Sequence, residues 1–195
     1  MARGLEAAAE RVGLDSAKLQ GLASDSHHLV GETYFTQCVL RYGDHIAKLS
    51  VAPASDNARA LTGVAMPDLS QSGIERAVAE AVRDQPVSFD LRVQLNTDLD
   101  AMPVEDAAIE WDEAASPFEV VGTITFPLQD SFSDARRVWA DDVLAFSPWN
   151  GVEAHRSLGS IMRIRRHVYQ MSQDRRRGMN DVAPAEPRSA ADIPA

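Results

Sequence analysis

Residues 87–96 read VSFDLRVQLN, and the alternation in this stretch decides the fold. Phe89, Leu91, Val93 and Leu95 fall on one side of an extended chain, with Asp90, Arg92, Gln94 and Asn96 on the other. Side chains alternate across a strand with a period of two, so the pattern predicts a half-buried strand in an antiparallel sheet. Toward the N-terminus, residues 45–53 repeat it: Ala47, Leu49 and Val51 alternate with Ile46, Lys48 and Ser50. Residues 33–42 form a further strand, joined to 45–53 through Gly43-Asp44, a short hairpin signal. Toward the C-terminus, residues 118–126 (FEVVGTITF) make a fourth strand, stopped by Pro127.

Helical spacing flanks these strands. Leu5, Ala8, Ala9 and Val12 form one stripe, Gly13 breaks it, and a second short helix runs through Leu19 and Leu22, so residues 3–23 read as two helices followed by a polar linker. Residues 54–72 are loop-rich. Ile74, Val78 and Val82 share a face of a helix over 73–84. Residues 97–117 are an acidic connector carrying Trp111, and after another loop the strongest helix covers 158–178. The fold class is therefore α+β: antiparallel sheet with flanking helices and a long C-terminal helix, whose sheet edges need covering. Three segments follow: residues 1–30 as N-terminal helices and linker, 31–180 as the main domain, and 181–195, rich in Pro and Ala, as a disordered tail.

The chain has 195 residues, enough for one domain with a real core, and a formal net charge of −10. That balance argues against nucleic acid as a partner, which needs a basic face to displace counterions. Arg175-Arg176-Arg177 is the best local exception, and no aromatic platform accompanies it. A single cysteine, Cys38, cannot form an internal disulfide and reads as a half-buried small hydrophobe. No stretch approaches the roughly 20 apolar residues that cross a bilayer, and the N-terminus has charges where a secretory signal would be apolar, so the expected location is the cytoplasm. A zinc site lacks support, with no C-x-x-C and no suitably spaced histidine pair.

On the 158–178 helix, Arg165, Tyr169, Ser172 and Arg176 stand at i, i+4, i+7 and i+11 and share one stripe, with Leu158, Ile161, Met162 and Val168 around it. Arg163, Arg166, His167, Gln170 and Arg177 occupy the solvated face. A tyrosine on a buried stripe is ordinarily a packing residue with a wet hydroxyl, and arginines beside it ordinarily snorkel. The chemical reading is different. A guanidinium one turn from a phenol favours the phenolate, and a ferric ion favours it far more. A phenolate is a hard anionic axial ligand for haem iron, and Arg176 can meet a haem carboxylate through two parallel N–H groups.

Sequence context bears on that choice. Phe146-Ser147-Pro148, a loop, Leu158-Gly159, then Arg165-x-x-x-Tyr169, Arg176 and Gly178 resemble the proximal-haem segment of the monofunctional catalases. Thr33-Tyr34 with the following strand, residues 87–94, and residues 111–122 (WDEAASPFEVVG) resemble further catalase segments in the same order, over about residues 31–180. Pro148-Trp149 is closest to the short, divergent catalase-related haem proteins. The resemblance implies about half of a catalase-type β-barrel with haem as cofactor. Tyr169 would be the axial, metal-binding residue, Arg165 its phenolate-stabilising partner and Arg176 a haem-carboxylate contact. The implied activity is peroxidase or catalase-type oxidoreduction of hydrogen peroxide or an organic hydroperoxide.

The family's distal histidine and asparagine lie upstream of every matched segment, so no catalytic acid–base residue is identifiable. His27 and His28 read as surface histidines of the linker, and His45, His155 and His167 as strand-edge, loop and solvated-face residues. The expectation is a truncated form of a longer reading frame, with Met1 an internal methionine. A natural half-barrel that associates through its exposed sheet edges and the apolar Phe89-Leu91-Val93 face is the other option. Function then divides between a catalase-like haem enzyme when complete and a non-catalytic haem-binding or structural module.

Overall fold

A computed structural model describes residues 26–194. The two helices expected over residues 3–23 lie outside the described residues. The sheet is antiparallel and open: β1 (Tyr34–Phe35) and β2 (Leu40–Tyr42) both pair with β3 (His45–Pro53), which pairs with β4 (Val87–Leu95), which pairs with β5 (Glu119–Phe126). Among the described residues four α-helices flank it: α1 (Asp56–Arg59), α2 (Gln71–Arg83), α3 (Asp134–Asp142) and α4 (Ser160–Asn180). The α+β class stands. None of the helices in residues 26–194 is long and apolar enough to cross a membrane.

The strand expected over 33–42 is two short strands. At the break, the hydroxyl of Thr36 replaces a ladder partner: Leu49 N–H donates to Thr36 Oγ1 at 2.8 Å, and Thr36 Oγ1 donates to the Leu49 carbonyl at 3.2 Å. A side chain competing with backbone for the same groups ends regular pairing there. Pairing resumes at Leu40, and the hairpin closes with Tyr42 opposite His45. Gly43 supplies the positive φ of 62° that the two-residue turn requires at its first position.

β3 and β4 run in continuous register from Ala47↔Leu95 to Pro53↔Phe89. On the face carrying Phe89, one core cluster joins Val87 and Phe89 to Val30, Ala58 and Val82, with Val78 of α2 packed against them. The helix is capped by Ser70, whose Oγ accepts from Gly73 N–H at 3.1 Å. Phe89 and Val93 are buried, so this face is not the free association surface expected of a half-barrel.

The opposite face is covered as well, which corrects the reading of β4 as half-solvated. Gln94 is 1% exposed. Its amide donates to the Trp111 carbonyl at 3.2 Å and the Ser116 carbonyl at 2.9 Å, tying down the 97–117 connector. The connector owes its order to its acidic residues: Asp98, Asp106 and Asp112 each accept from a backbone N–H two residues ahead. It delivers Met102 and Trp111 to a second cluster with Val39, Ile46 and Leu158.

Two further elements depart from expectation. α3 lies where the sequence reads as loop; none of its residues is buried, so it carries no apolar periodicity to betray it. The segment taken as disordered tail packs back: Ala185 N–H donates to the Val143 carbonyl at 2.8 Å, and Ala145 N–H to the Ala185 carbonyl at 2.9 Å. Arg136 Nε also donates to the Pro194 carbonyl at 2.8 Å. Backbone pairing needs no hydrophobic composition, and composition therefore missed it.

Candidate functional site

α4 is fixed to the body at its N-terminal end. Gly159 adopts φ 88°, and a Cβ there would stand 2.7 Å from the Val104 carbonyl oxygen, so only glycine lets the connector lie this close. Ser160 Oγ donates to the Glu105 carbonyl at 2.9 Å, and Arg163 clasps the Glu105 carboxylate with two N–H···O bonds of 3.0 and 2.8 Å. That contact holds the Glu105 carboxyl below the usual carboxylate range. Just upstream, Arg41 N–H donates to the Arg156 carbonyl and Leu158 N–H to the Val39 carbonyl, so residues 156–158 line the outer side of β2. Trp149 Nε1 donates to the Met162 carbonyl at 2.9 Å, and the Arg166 guanidinium stacks over its indole at 5.4 Å.

Beyond this anchor the least exposed line of α4 runs through Met162, Arg165, Tyr169, Gln173 and Arg176. Gln173 stands where Ser172 was expected, because the packing partner, the strand-like run after α3, lies slightly around the helix; Gln173 Nε2 donates to the Phe146 carbonyl at 3.2 Å. Met162 is the sole buried residue of α4, and Val168, expected near the core stripe, is 51% exposed.

Arg165 and Tyr169 are brought together. Arg165 Nη2 donates to Tyr169 Oη at 2.5 Å, and the guanidinium carbon lies 5.1 Å from the phenol ring centre. The hydrogen bond to Tyr169 pushes the Arg165 pKa further up, against the opposing effect of burial. Phe146 meets the other side of the ring edge-on, at 5.8 Å and 70°. Tyr169 separates two depressions. One, about 230 Å³, is lined by Phe146, Val168, Ser172, Gln173 and Arg176. The other, about 270 Å³, is polar, with Ser147, Trp149, Asn150, Arg166, Gln170 and Glu186.

Arg176 is placed differently from its expected part. Its Nη1 donates to the Asp141 carbonyl at 3.2 Å and its Nη2 to the Leu144 carbonyl at 2.8 Å, so it caps the C-terminal end of α3. Its Nε is buried and has no partner among the described residues. The histidines lie elsewhere. His27 pairs with Glu32 at 2.9 Å, His28 accepts from Val30 N–H at 3.2 Å, His155 stacks edge-on with Tyr42, and His45 and His167 are exposed. Among the described residues no three His, Cys, Asp or Glu side chains gather as a metal cluster.

The residues beside the apolar depression suit a haem group in kind. A phenol oxygen already accepts from a cation, Phe146 and Val168 offer hydrocarbon, and the buried Arg176 Nε is a donor still without an acceptor.

No model of a known protein family and no curated protein matches this sequence. Among solved structures the chain is similar to a fungal catalase determined at 1.9 Å, with a TM-score of 0.51 and 16% sequence identity. The likeness covers 78% of this chain and 31% of that catalase, and at this identity it shows a distantly catalase-like fold and nothing finer.

Proposed function

We propose that this chain carries the proximal part of a catalase-type haem site, with Tyr169 as the axial ligand. The observation that carries the reading is the 2.5 Å contact from Arg165 to the Tyr169 oxygen, set beside an apolar depression on a fold similar to a catalase. Arg165 serves as the counter-charge: its guanidinium donates to the phenol oxygen that would meet the iron. Phe146, edge-on to the ring, and Val168 give the depression beside Tyr169 its hydrocarbon lining. Arg176 keeps two N–H groups on the end of α3 and has Nε left for a carboxylate. Ferric haem, when bound, supplies the redox chemistry by which hydrogen peroxide or an organic hydroperoxide is turned over.

One observation favours a second reading within the same site. The residues lining the apolar depression include no imidazole or carboxylate to move a proton between peroxide oxygens. A chain acting by itself would then bind haem without turning over peroxide, as a binding or structural module.

Titration of the purified chain with hemin tests both. The expected result is a ferric, tyrosinate-type absorption spectrum that disappears in Tyr169→Phe. Absence of any spectral change in the wild-type chain overturns the haem reading. If the spectrum forms and oxygen release from peroxide exceeds that of free hemin, the enzymatic reading holds; release at the free-hemin level selects the binding module.

A further inference from the structure

The sheet has two ends, and they differ. On one side β1 is only two residues long, and the outer side of β2 is already met by residues 156–158. On the other, β5 ends the sheet with eight residues that pair with β4 alone among the described residues. Natural edges of this length are usually protected by lysine, proline or an inward charge. β5 has none of these between Val120 and Phe126, and Pro127 lies beyond its end. Both of its faces are exposed, with Val120, Val121, Ile124 and Phe126 each more than a third accessible. An occupant that extends the sheet along this edge meets side chains of both faces; one that packed on a single face would not.

We infer that β5 pairs antiparallel with β5 of a second copy of this chain, about a two-fold axis at Ile124. The strand is self-complementary in that register. A bulge interrupts β5 between Val120 and Gly122, which leaves Gly122–Phe126 as the regular half. With Ile124 opposite Ile124, each Gly122 stands opposite the partner copy's Phe126, and Thr123 opposite Thr125. The space where a Gly122 side chain would be holds nothing within 4 Å. An aromatic ring opposite a strand glycine fills such a gap, and threonine pairs are favourable across antiparallel strands. Phe126 is already held edge-on to Phe89 at 6.0 Å, so its ring is set before pairing. The self-pairing half of β5, Gly122–Phe126, carries no charged side chain that would oppose a second copy across the axis. This inference stands apart from the haem reading.

Sedimentation velocity of the full chain tests it. The wild-type chain is expected to be a dimer at micromolar concentration. Ile124→Lys puts two like charges at the axis and is expected to weaken dimerisation by roughly 100-fold or more, while far-UV circular dichroism stays unchanged. Val152→Lys, at an exposed apolar residue outside the sheet, should leave the dimer intact. Hydrogen exchange on the wild-type chain gives a measurement independent of any variant: amide protection at 122–126 should fall on dilution. A monomeric wild-type chain, a dimer retained in a folded Ile124→Lys, or exchange at 122–126 that ignores concentration overturns the inference.

Discussion

Arg165 and Tyr169 are joined end to end along one turn of α4, with the guanidinium donating to the phenol oxygen at 2.5 Å. An i, i+4 pair of this kind is local, and the helix alone brings it within reach. What the helix does not supply is the apolar wall from Phe146, which comes from the run before the Trp149 anchor and holds the ring edge-on. The pair is thus a polar contact set against hydrocarbon on a helix face that is otherwise open.

Replacing Arg165 by alanine should weaken hemin binding without abolishing it. A hydrogen bond involving a charged group is worth about 1.5–3 kcal/mol, which corresponds to roughly 10- to 100-fold in affinity. The tyrosinate band should also shift, because its oxygen loses the cation. Unchanged affinity and spectrum in an absorbance titration would show that Arg165 only packs against the ring.

Gly159→Ala should destabilise the fold by about 1–3 kcal/mol, read as a lower midpoint in urea unfolding. Two effects act together: φ 88° is strained for any residue with a Cβ, and that Cβ would meet the Val104 carbonyl at 2.7 Å. The damage should be local, with faster amide exchange over Ser160–Arg163 than over β3 and β4. A midpoint equal to wild type would mean that the 159 backbone adopts another conformation.

The sheet was legible in the sequence where apolar and polar residues alternate along the chain. β3, β4 and β5 appear within a residue or so of their expected bounds, because apolar and polar residue types alternate along each of them, and on the apolar side of β4 Val87, Phe89 and Val93 are buried. α3 was not legible, since none of its residues is buried and its marks are local ones, Ser133 accepting from Arg136 N–H and Asp134 in the first turn paired with Arg137. In the site, Arg165 and Tyr169 could be paired from spacing alone. The capping role of Arg176 could not, because its acceptors are the backbone carbonyls of Asp141 and Leu144, and a carbonyl leaves no trace in side-chain identity. The polar face of β4 misled for a related reason: Gln94 is buried by connector carbonyls that any sequence would possess.

The clasp between Glu105 and Arg163 predicts a pH dependence with a definite sign. Hydrogen bonding to Arg163 holds the Glu105 pKa below its ordinary value of 4.5 in the folded chain. The folded state therefore binds this proton more weakly than the unfolded state, and the stabilisation is fully present above the unfolded pKa. It is lost as pH falls through the lowered folded value. Glu105→Gln removes the charge at every pH, so the difference in thermal midpoint between wild type and variant should be largest at neutral pH and vanish in acid. The effect should be small, because both side chains are 61% exposed and water and salt screen such a pair. Raising ionic strength should shrink it further at neutral pH. A difference that persists unchanged into acid would show that Glu105 acts through packing of the connector against α4, with its charge contributing nothing.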